Sequence, residues 1–325
     1  MTTLSLPRSR LWLPALLLLM LLGATLRLID LTDAPLDFHP SRQLRNFLVA
    51  RDIYYHLLPD ADPQTLELTG SFRRSVGQYE PPVMESLVAL TYRLTGGESV
   101  AVPRIWDTLF WLLAGLALFD LARREFSPWA AMAALAFYLV LPFSVQASRS
   151  FQPDPLMTAA FMGGIYFLYR WSESQGWKWA ILAALFLGFA VLVKIVIVFV
   201  VIGAAAALVL FTLGMGFWKS KQVWVMAAIM ALPAFLYYVL LHPGRSSEYF
   251  LSWSAAMAGL LTSPEFYSRW LAFLGDLFGL ALLFASLAGV FLAPPRLRWL
   301  LIGMWTGYLL YGLTLPFQMY THSYY

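Results

Sequence analysis

Long apolar runs constrain the fold of this chain more than any other feature. A helix that crosses a bilayer needs about 20 mainly apolar residues. Such runs recur along the whole sequence, at 11–29, 101–121, 129–149, 154–171, 178–193, 195–217, 223–241, 268–292 and 298–316. Hydrophobic residues make up 60% of the chain and charged residues 12%, whereas a soluble domain is about a quarter charged. The sequence therefore predicts an all-α, polytopic transmembrane helix bundle with about nine spans.

Two of these runs need a closer interpretation. The first, 11–29, follows Arg8 and Arg10 as a signal peptide would, but its length and the absence of an immediate cleavage site favour a retained anchor helix. The stretch 178–217 is too long for one span. It predicts two helices in a tight hairpin, with Lys194 at the midpoint.

The basic residues between spans predict the orientation of the chain. They precede the first predicted span and follow every second one, at Arg8, Arg10, Arg123, Arg124, Arg170, Lys178, Lys219, Lys221, Arg296 and Arg298. The positive-inside rule places that side, with the N-terminus, in the cytoplasm. We therefore expect a multi-pass protein of the cell (inner) membrane whose other face is external or periplasmic. The chain has no cysteine, which excludes disulfides and thiolate metal sites.

The segment 30–100 is then an external loop within a single transmembrane domain that covers 1–325. Residues 81–96 are too short for a span and carry Glu85 and Arg93, and residues 42–58 interleave apolar and charged side chains. Both patterns predict amphipathic helices in the membrane interface.

The most concentrated polar stretch is Asp37-Phe38-His39-Pro40-Ser41-Arg42-Gln43, directly after the first predicted span. Charged groups beside lipid usually mark a functional site. The alternative is that Asp37 caps the helix that follows, although Ser41 is better placed for that role.

Other polar residues fall on the same predicted face, and each has a simpler alternative. They are Glu80, Arg149, Asp154, Lys194, and His322 with Tyr324. Asp154 could cap the next helix, Lys194 could snorkel, Arg149 could meet lipid phosphate, and the last two could form an aromatic belt. Together, a carboxylate that acts as a general base and cations that stabilise a departing phosphate would suit a lipid-phosphate-dependent transferase.

These motifs carry a resemblance to a known family. Their order resembles that of the polytopic GT-C type glycosyltransferases, in particular the bacterial relatives of protein O-mannosyltransferases and of the lipid A aminoarabinose transferase. The matching elements are the Asp-x-His-x-x-Arg-Gln stretch at 37–43, Ala50-Arg51-Asp52-Ile53-Tyr54, Glu80-Pro81-Pro82, Gln152-Pro153-Asp154-Pro155, Leu192-Val193-Lys194 and His322-Ser323-Tyr324-Tyr325.

The resemblance implies a glycosyltransferase that moves a sugar from a polyprenyl-phosphate donor to an external acceptor of unknown type. Asp37 would be the catalytic base or acceptor-positioning acid, and Asp154 a second essential acid. The remaining matched residues would bind the donor phosphate or the substrates: Lys194, Arg149, His39, Arg42, Gln43, Glu80, His322 and Tyr324. The expected partners are the polyprenyl-phosphate sugar, membrane lipids and an unknown protein, lipid or glycan acceptor. No nucleic-acid partner is expected.

The resemblance also leaves points open. Many relatives have a second acid after the first, where this chain has Phe38, so a divalent metal at Asp37 and Asp154 stays an open question. Relatives continue beyond the His-x-Tyr-Tyr element, so the sequence given could be a fragment, an incompletely identified subunit or a homologue shortened at its C-terminal end. The alternatives are therefore a non-catalytic structural or lipid-binding subunit of the same fold and, second, a transporter or flippase of lipid-linked substrates.

Overall fold

The computed structural model describes residues 11–77, 79–242, 252, 254 and 256–322. All regular elements in these ranges are helical, which confirms the all-α prediction. The α-helices, numbered along the chain, are α1 Trp12–Leu28, α2 Pro40–His56, α3 Pro63–Ser75, α4 Val83–Thr95, α5 Ala101–Glu125, α6 Pro128–Val140, α7 Pro142–Ala147, α8 Asp154–Ser174, α9 Trp177–Val193, α10 Val198–Leu213, α11 Lys221–Phe235, α12 Pro264–Phe278, α13 Leu280–Leu292, α14 Pro295–Thr314 and α15 Pro316–Thr321.

Within the described ranges, three helical segments are long and apolar enough to cross a membrane. They are Ala101–Glu125, Ile195–Lys219 and Lys221–Leu241, the last two being α10 and α11 with their flanking turns. Helices α12 and α13 pass the same test together, but a bend of 95° separates them. Three further apolar helices, α1, α6 and α9, are shorter. The chain is thus a membrane protein, and its span count of about nine stays a prediction.

Three predicted segments differ in detail from the observed helices. The run 129–149 is not one helix, because Pro142 has no N–H to continue it and the chain breaks into α6 and α7. The run 268–292 breaks at Gly279, whose φ of 80° is left-handed. Helix α3 was not anticipated, whereas the helices predicted at 42–58 and 81–96 are confirmed as α2 and α4.

The chain forms two compact units. Unit 1 comprises residues 1–77 and 82–162, and unit 2 comprises residues 78–81 and 163–325. In unit 1, α5 and α6 pack against each other and both contact α1. Their core is apolar and aromatic, with the rings of Trp111 and Tyr138 stacked at 4.7 Å between centroids.

A buried arginine closes the broken end of α6. Arg27 of α1 is fully buried, and its Nη1 donates to the carbonyl oxygen of Leu139 at 2.9 Å. Its Nε donates to the hydroxyl of Ser148 at 2.6 Å. The last carbonyls of a helix have no partner within it, so this guanidinium satisfies groups that the break at Pro142 exposes.

Helices α2, α3 and α4 form a second layer of unit 1, held largely by polar contacts. Arg45 of α2 donates to the Gly77 carbonyl at 2.6 Å and lies 3.3 Å from a carboxylate oxygen of Glu85 on α4. Asp52 of α2 pairs with Arg73 of α3 at 2.8 Å. The buried face of α2 is therefore largely polar, so α2 is more than an amphipathic surface helix.

In unit 2, glycines bring two helix pairs into close contact. Helix α10 packs on α14 along Gly203, Gly303 and Gly307, where added Cβ atoms would collide with the facing backbone. Helix α9 packs on α11, and a Cβ at Gly188 would lie 3.0 Å from the Cα of Met230. Small residues that permit such approach are typical of helix contacts in membranes.

The predicted break at Lys194 is confirmed. Helix α9 ends at Val193, Lys194 is extended, and a short 3₁₀ turn leads into α10. The two helices do not form the expected tight hairpin, because α9 packs mainly against α11 and α10 mainly against α14. A separate aromatic cluster joins α12, α14 and α15 through Phe266, Trp270, Tyr311, Leu315 and Met319.

Candidate active site

Asp37 lies in the turn between α1 and α2 of unit 1, and it is exposed. The turn ends at His39, which has a left-handed φ of 52° and is the residue before the first turn of α2. Pro40 then starts the helix, where its missing N–H costs nothing. No side chain caps this helix, so neither Asp37 nor Ser41 acts as its cap.

Gln43 fixes the position of the Asp37 carboxylate. The Gln43 side chain is fully buried, and its Nε2 donates to Oδ1 of Asp37 at 2.9 Å and to the carbonyl oxygen of Phe38 at 2.8 Å. Residue 43 lies in the first turns of α2, so the rigid helix carries the amide. One carboxylate oxygen of an exposed acid is thereby held in a fixed direction.

The same amide also ties this turn to the segment before α8. Oε1 of Gln43 accepts a hydrogen bond from the backbone N–H of Phe151 at 3.1 Å. Nδ2 of Asn46 donates to the carbonyl oxygen of Phe151 at 2.8 Å, and the Phe47 ring packs on the Phe151 ring at 4.8 Å. Both polar backbone groups of a buried residue are satisfied by α2, so the two predicted acidic motifs are parts of one assembly.

Asp154 starts α8 three residues after Phe151 and is partly buried. An acid in the first turn is favourable because the helix dipole is positive there. Asp154 lies within electrostatic range of Asp107 on α5, which is fully buried. Neither carboxylate oxygen of Asp107 has a hydrogen-bond partner among the described residues.

Helix α5 contributes a second polar residue, Arg104, one turn before Asp107. Arg104 is 2% exposed, and its Nη1 donates to the carbonyl oxygens of Asp30 and Leu31 at 3.0 and 2.9 Å. Its charge lies within electrostatic range of Asp37 and Arg149. Arg104 was not among the predicted site residues. The available signal was a polar pair at i, i+3 on one face of an otherwise apolar helix.

Arg149 holds the end of α1 in place. Its Nη2 donates to the carbonyl oxygens of Ile29 and Asp30 at 2.6 and 3.2 Å, so Arg149 and Arg104 share the Asp30 carbonyl. Its Nε is buried without a hydrogen-bond partner in the described ranges. We call the residues gathered here the polar cluster of unit 1: Asp37, Gln43, Arg104, Asp107, Arg149 and Asp154.

In unit 2, Tyr238 connects two further predicted residues. Its hydroxyl donates to the carbonyl oxygen of Leu192 at 3.1 Å, two residues before Lys194. Glu80 lies within electrostatic range of the same tyrosine. Lys194 is 5% exposed. Glu80 and the Lys194 segment are thus both positioned around Tyr238.

An apolar cavity adjoins this group in unit 2. It has a volume of about 560 Å³ and is lined by side chains of α8 to α11, including Val191, Ile195, Val198, Met230 and Tyr238. Ile195 of this lining directly follows Lys194 in the sequence. The residue that carries the ammonium group is therefore the chain neighbour of a residue in the apolar wall. The cavity suits a hydrocarbon ligand, since pockets bury apolar ligands in apolar linings.

A comparison with protein families decides the class of the chain. Residues 79–240 match the family model described as dolichyl-phosphate-mannose-protein mannosyltransferase, a family of GT-C type. This match assigns residues 79–240 to that family. No curated protein and no solved structure matched the chain. The chain is thus a membrane glycosyltransferase by family.

The mannosyltransferase match covers part of the predicted site. Glu80, Arg149, Asp154 and Lys194 lie inside it, and the 37–43 stretch lies before it. In that stretch His39 packs its ring on Phe38 at 4.3 Å between centroids. Arg42 is partly buried in the first turn of α2.

Of the predicted C-terminal pair, His322 is partly buried at the end of α15 of unit 2. Its Nδ1 lies 2.7 Å from the hydroxyl oxygen of Thr321. Tyr324 lies outside the described residues. The roles of both residues stay predictions.

The side chains present show whether a divalent metal ion would fit the candidate site. Among the described residues, no group of three or more His, Cys, Asp or Glu side chains could hold a metal ion. Magnesium is commonly held by one or two carboxylates together with substrate phosphates. The polar cluster offers carboxylates of that kind, so a metal shared with a phosphate substrate stays a proposal.

Proposed function

We propose that this chain transfers a sugar from a polyprenyl-phosphate donor to an acceptor on the external face of the membrane. The observation that carries the proposal is the bridging amide of Gln43. It holds the exposed carboxylate of Asp37 and the backbone of Phe151, which leads into Asp154. A fixed, accessible carboxylate with a second acid on a connected segment fits a general base and its supporting acid.

The chemistry follows from the groups present. In the transfer, the bond between the sugar C1 and the phosphate oxygen breaks, and a bond forms between C1 and an acceptor oxygen or nitrogen. Asp37 would take the proton that the acceptor loses, since its carboxylate is exposed and, among the described residues, Gln43 donates a hydrogen bond to one of its oxygens. The leaving phosphate would carry the negative charge that develops.

The remaining members of the polar cluster would support this step by positioning. Arg104 and Arg149 hold the backbone before Asp37 through the shared Asp30 carbonyl. Asp154 would orient the donor or acceptor beside Asp37. Positioned groups of this kind contribute through orientation, because small displacements of reacting atoms are costly in rate.

In unit 2, the cavity and Lys194 would bind the donor. The apolar lining suits an isoprenoid chain, and a buried ammonium at 5% exposure suits a phosphate. Glu80, His39, Arg42 and His322 would shape the substrate sites. The description of the matched family, dolichyl-phosphate-mannose-protein mannosyltransferase, supports a lipid-phosphate donor.

The test is a transfer assay with purified chain in lipid, a panel of labelled polyprenyl-phosphate sugars and membrane extract as acceptor. We expect Asp37→Asn to slow transfer by roughly 10²- to 10⁴-fold, the contribution of a positioned general base, and Asp154→Asn to lower it strongly as well. Asp60→Asn is the matched control, because Asp60 is an exposed acid of the same loop region. It should transfer like wild type. Chelator treatment in the same assay tests whether a divalent ion is required.

Two outcomes would count against the proposal. Full activity of Asp37→Asn would remove its base. Absence of transfer with every donor, from chain that remains folded, would favour a non-catalytic subunit of the same fold.

A further inference from the structure

The end of unit 2 where α8 and α10 finish is strongly basic. Helices α9 and α11 begin at this same end, because Gln222 of α11 donates to the Gln175 carbonyl at 2.8 Å and accepts from the Trp171 indole at 2.8 Å. The basic residues of these helix ends and of the start of α14 are Arg170, Lys178, Lys219, Lys221, Arg296 and Arg298. The acid among them, Glu173, pairs with Arg170 at 2.9 Å. The positive charge of this end is therefore mostly uncompensated.

Arg296 is the most specifically placed of these cations. Its guanidinium carbon lies 5.8 Å from the ring centroid of Tyr169 on α8 and 5.8 Å from that of Phe211 on α10. Cations within about 6 Å of a ring face are attracted by it. The antiparallel packing of α14 on α10 brings the start of α14 to the end of α10. Two rigid helices thus hold this guanidinium.

The charge of Arg296 is not neutralised by a carboxylate in the part of the chain that the structure describes. The ion pairs there do not include it, and its buried Nε has no hydrogen-bond partner among those residues. Arg298, two residues on, also has an unpartnered Nε, but its Nη2 donates to the carbonyl oxygens of Phe291 and Ala293 at 2.8 and 3.0 Å. Arg298 thus closes the end of α13, whereas Arg296 has no such hydrogen bond to the described residues.

Exposed tryptophans surround this end of the unit and indicate its depth in the membrane. Trp177, Trp218, Trp224 and Trp299 are 49%, 57%, 61% and 45% exposed. Exposed tryptophans beside basic residues are typical of the headgroup level of a bilayer. A partly buried arginine at that level, with no carboxylate partner among the described residues, is suited to bind a lipid phosphate.

We propose that Arg296, between the rings of Tyr169 and Phe211, binds the phosphate of an anionic phospholipid headgroup. Basic pockets between membrane helices bind such headgroups. The planar guanidinium can donate two parallel hydrogen bonds to one phosphate. The site is separate from the proposed transfer chemistry, because Arg296, Tyr169 and Phe211 belong neither to the polar cluster of unit 1 nor to the lining of the apolar cavity.

The experiment counts bound lipid by native mass spectrometry of the full chain released from neutral detergent. Phosphatidylglycerol is titrated against wild type, Arg296→Gln and Lys221→Gln, with phosphatidylcholine as the neutral lipid. Lys221→Gln is the matched control, since it removes one exposed charge from the same end. We expect Arg296→Gln to lower the apparent affinity for one phosphatidylglycerol by roughly tenfold, the effect of one charge-assisted hydrogen bond. Lys221→Gln should change that affinity by less than about twofold.

Three results would overturn the proposal. One is unchanged lipid binding in Arg296→Gln, and another is an equal loss in Lys221→Gln, which would indicate diffuse attraction. The third is displacement of the lipid by millimolar inorganic phosphate at matched ionic strength, which would assign a small-anion site instead. If Arg296→Gln does not fold, Arg296→Lys replaces it, because it keeps the charge and loses the planar fork. Binding as tight as wild type in that variant would refute the role of the guanidinium.

Discussion

The bridging role of Gln43 leads to a sharp prediction for Gln43→Glu. The substitution keeps the shape of the side chain, so a carboxylate oxygen can still accept from the Phe151 N–H. It removes the donor that holds Asp37 at 2.9 Å and places a second negative charge beside it. The variant therefore separates the positioning of Asp37 from the packing of α2 against the Phe151 segment.

The magnitude follows from the bonds that change. A hydrogen bond to a charged group contributes about 1.5–3 kcal/mol, and 1.36 kcal/mol is tenfold in rate. Since one such bond to Asp37 is lost, we expect kcat/KM for sugar transfer to fall by roughly 10- to 100-fold. The change in KM should be smaller than the change in kcat, because the lost contact orients a reacting group.

The assay is the transfer reaction, run on wild type, Gln43→Glu, Asp37→Asn and the double variant, with thermal unfolding measured in parallel. If Gln43 acts through Asp37, the double variant should be no slower than Asp37→Asn alone, since residues that work as a unit are not additive. Transfer within about threefold of wild type by a folded Gln43→Glu would refute the positioning argument. Additive losses would place the effect elsewhere.

Three further predictions concern the fold and its orientation. Gly303→Ala should lower the free energy of unfolding by about 1–3 kcal/mol, since its Cβ would lie 2.6 Å from that of Ala207. Gly289→Ala, which has open space around it, is the control and should be neutral or stabilise by about 0.5 kcal/mol. Equal melting midpoints for the two variants would contradict this prediction. Arg27→Met should cost about 2 kcal/mol or more by leaving buried carbonyls unpaired, and an unchanged melting midpoint would show that they find other donors. Single cysteines introduced at Ser41 and at Ser220 should react with a membrane-impermeant thiol reagent from opposite sides of the membrane. Reaction of both from the same side would refute the predicted topology.

Much of the helix pattern could be predicted from the sequence. The break at Lys194 was predicted correctly, because a single charged residue interrupts an apolar stretch about twice as long as one membrane span needs. The breaks at Pro142 and Gly279 were missed because hydropathy averages over a window and does not register single residues that end a helix. Proline and glycine are also common inside membrane helices, so their presence alone did not decide the matter.

The candidate site was predictable only in part. The motifs identified Asp37, Gln43 and Asp154, but not that one amide joins the first stretch to Phe151, since that contact spans 108 positions of sequence. Arg104 was missed because an arginine near a helix end is ordinary in a membrane protein. Arg104 is distinguished by its burial and by its hydrogen bonds to two backbone carbonyl oxygens. Neither property can be seen in a single sequence.

The glycine contact of α10 with α14 has a consequence for how the protein is made. Chains are synthesised from the N-terminus, and their parts fold in that order. Helix α10 emerges from the ribosome long before Gly303 and Gly307 of α14. The face of α10 that carries Gly203 therefore stays unpacked while the intervening segments insert. Unit 2 can reach its final packing only when α14 arrives. Ribosome stalling before α14 should therefore leave a nascent chain that membrane quality-control proteases recognise.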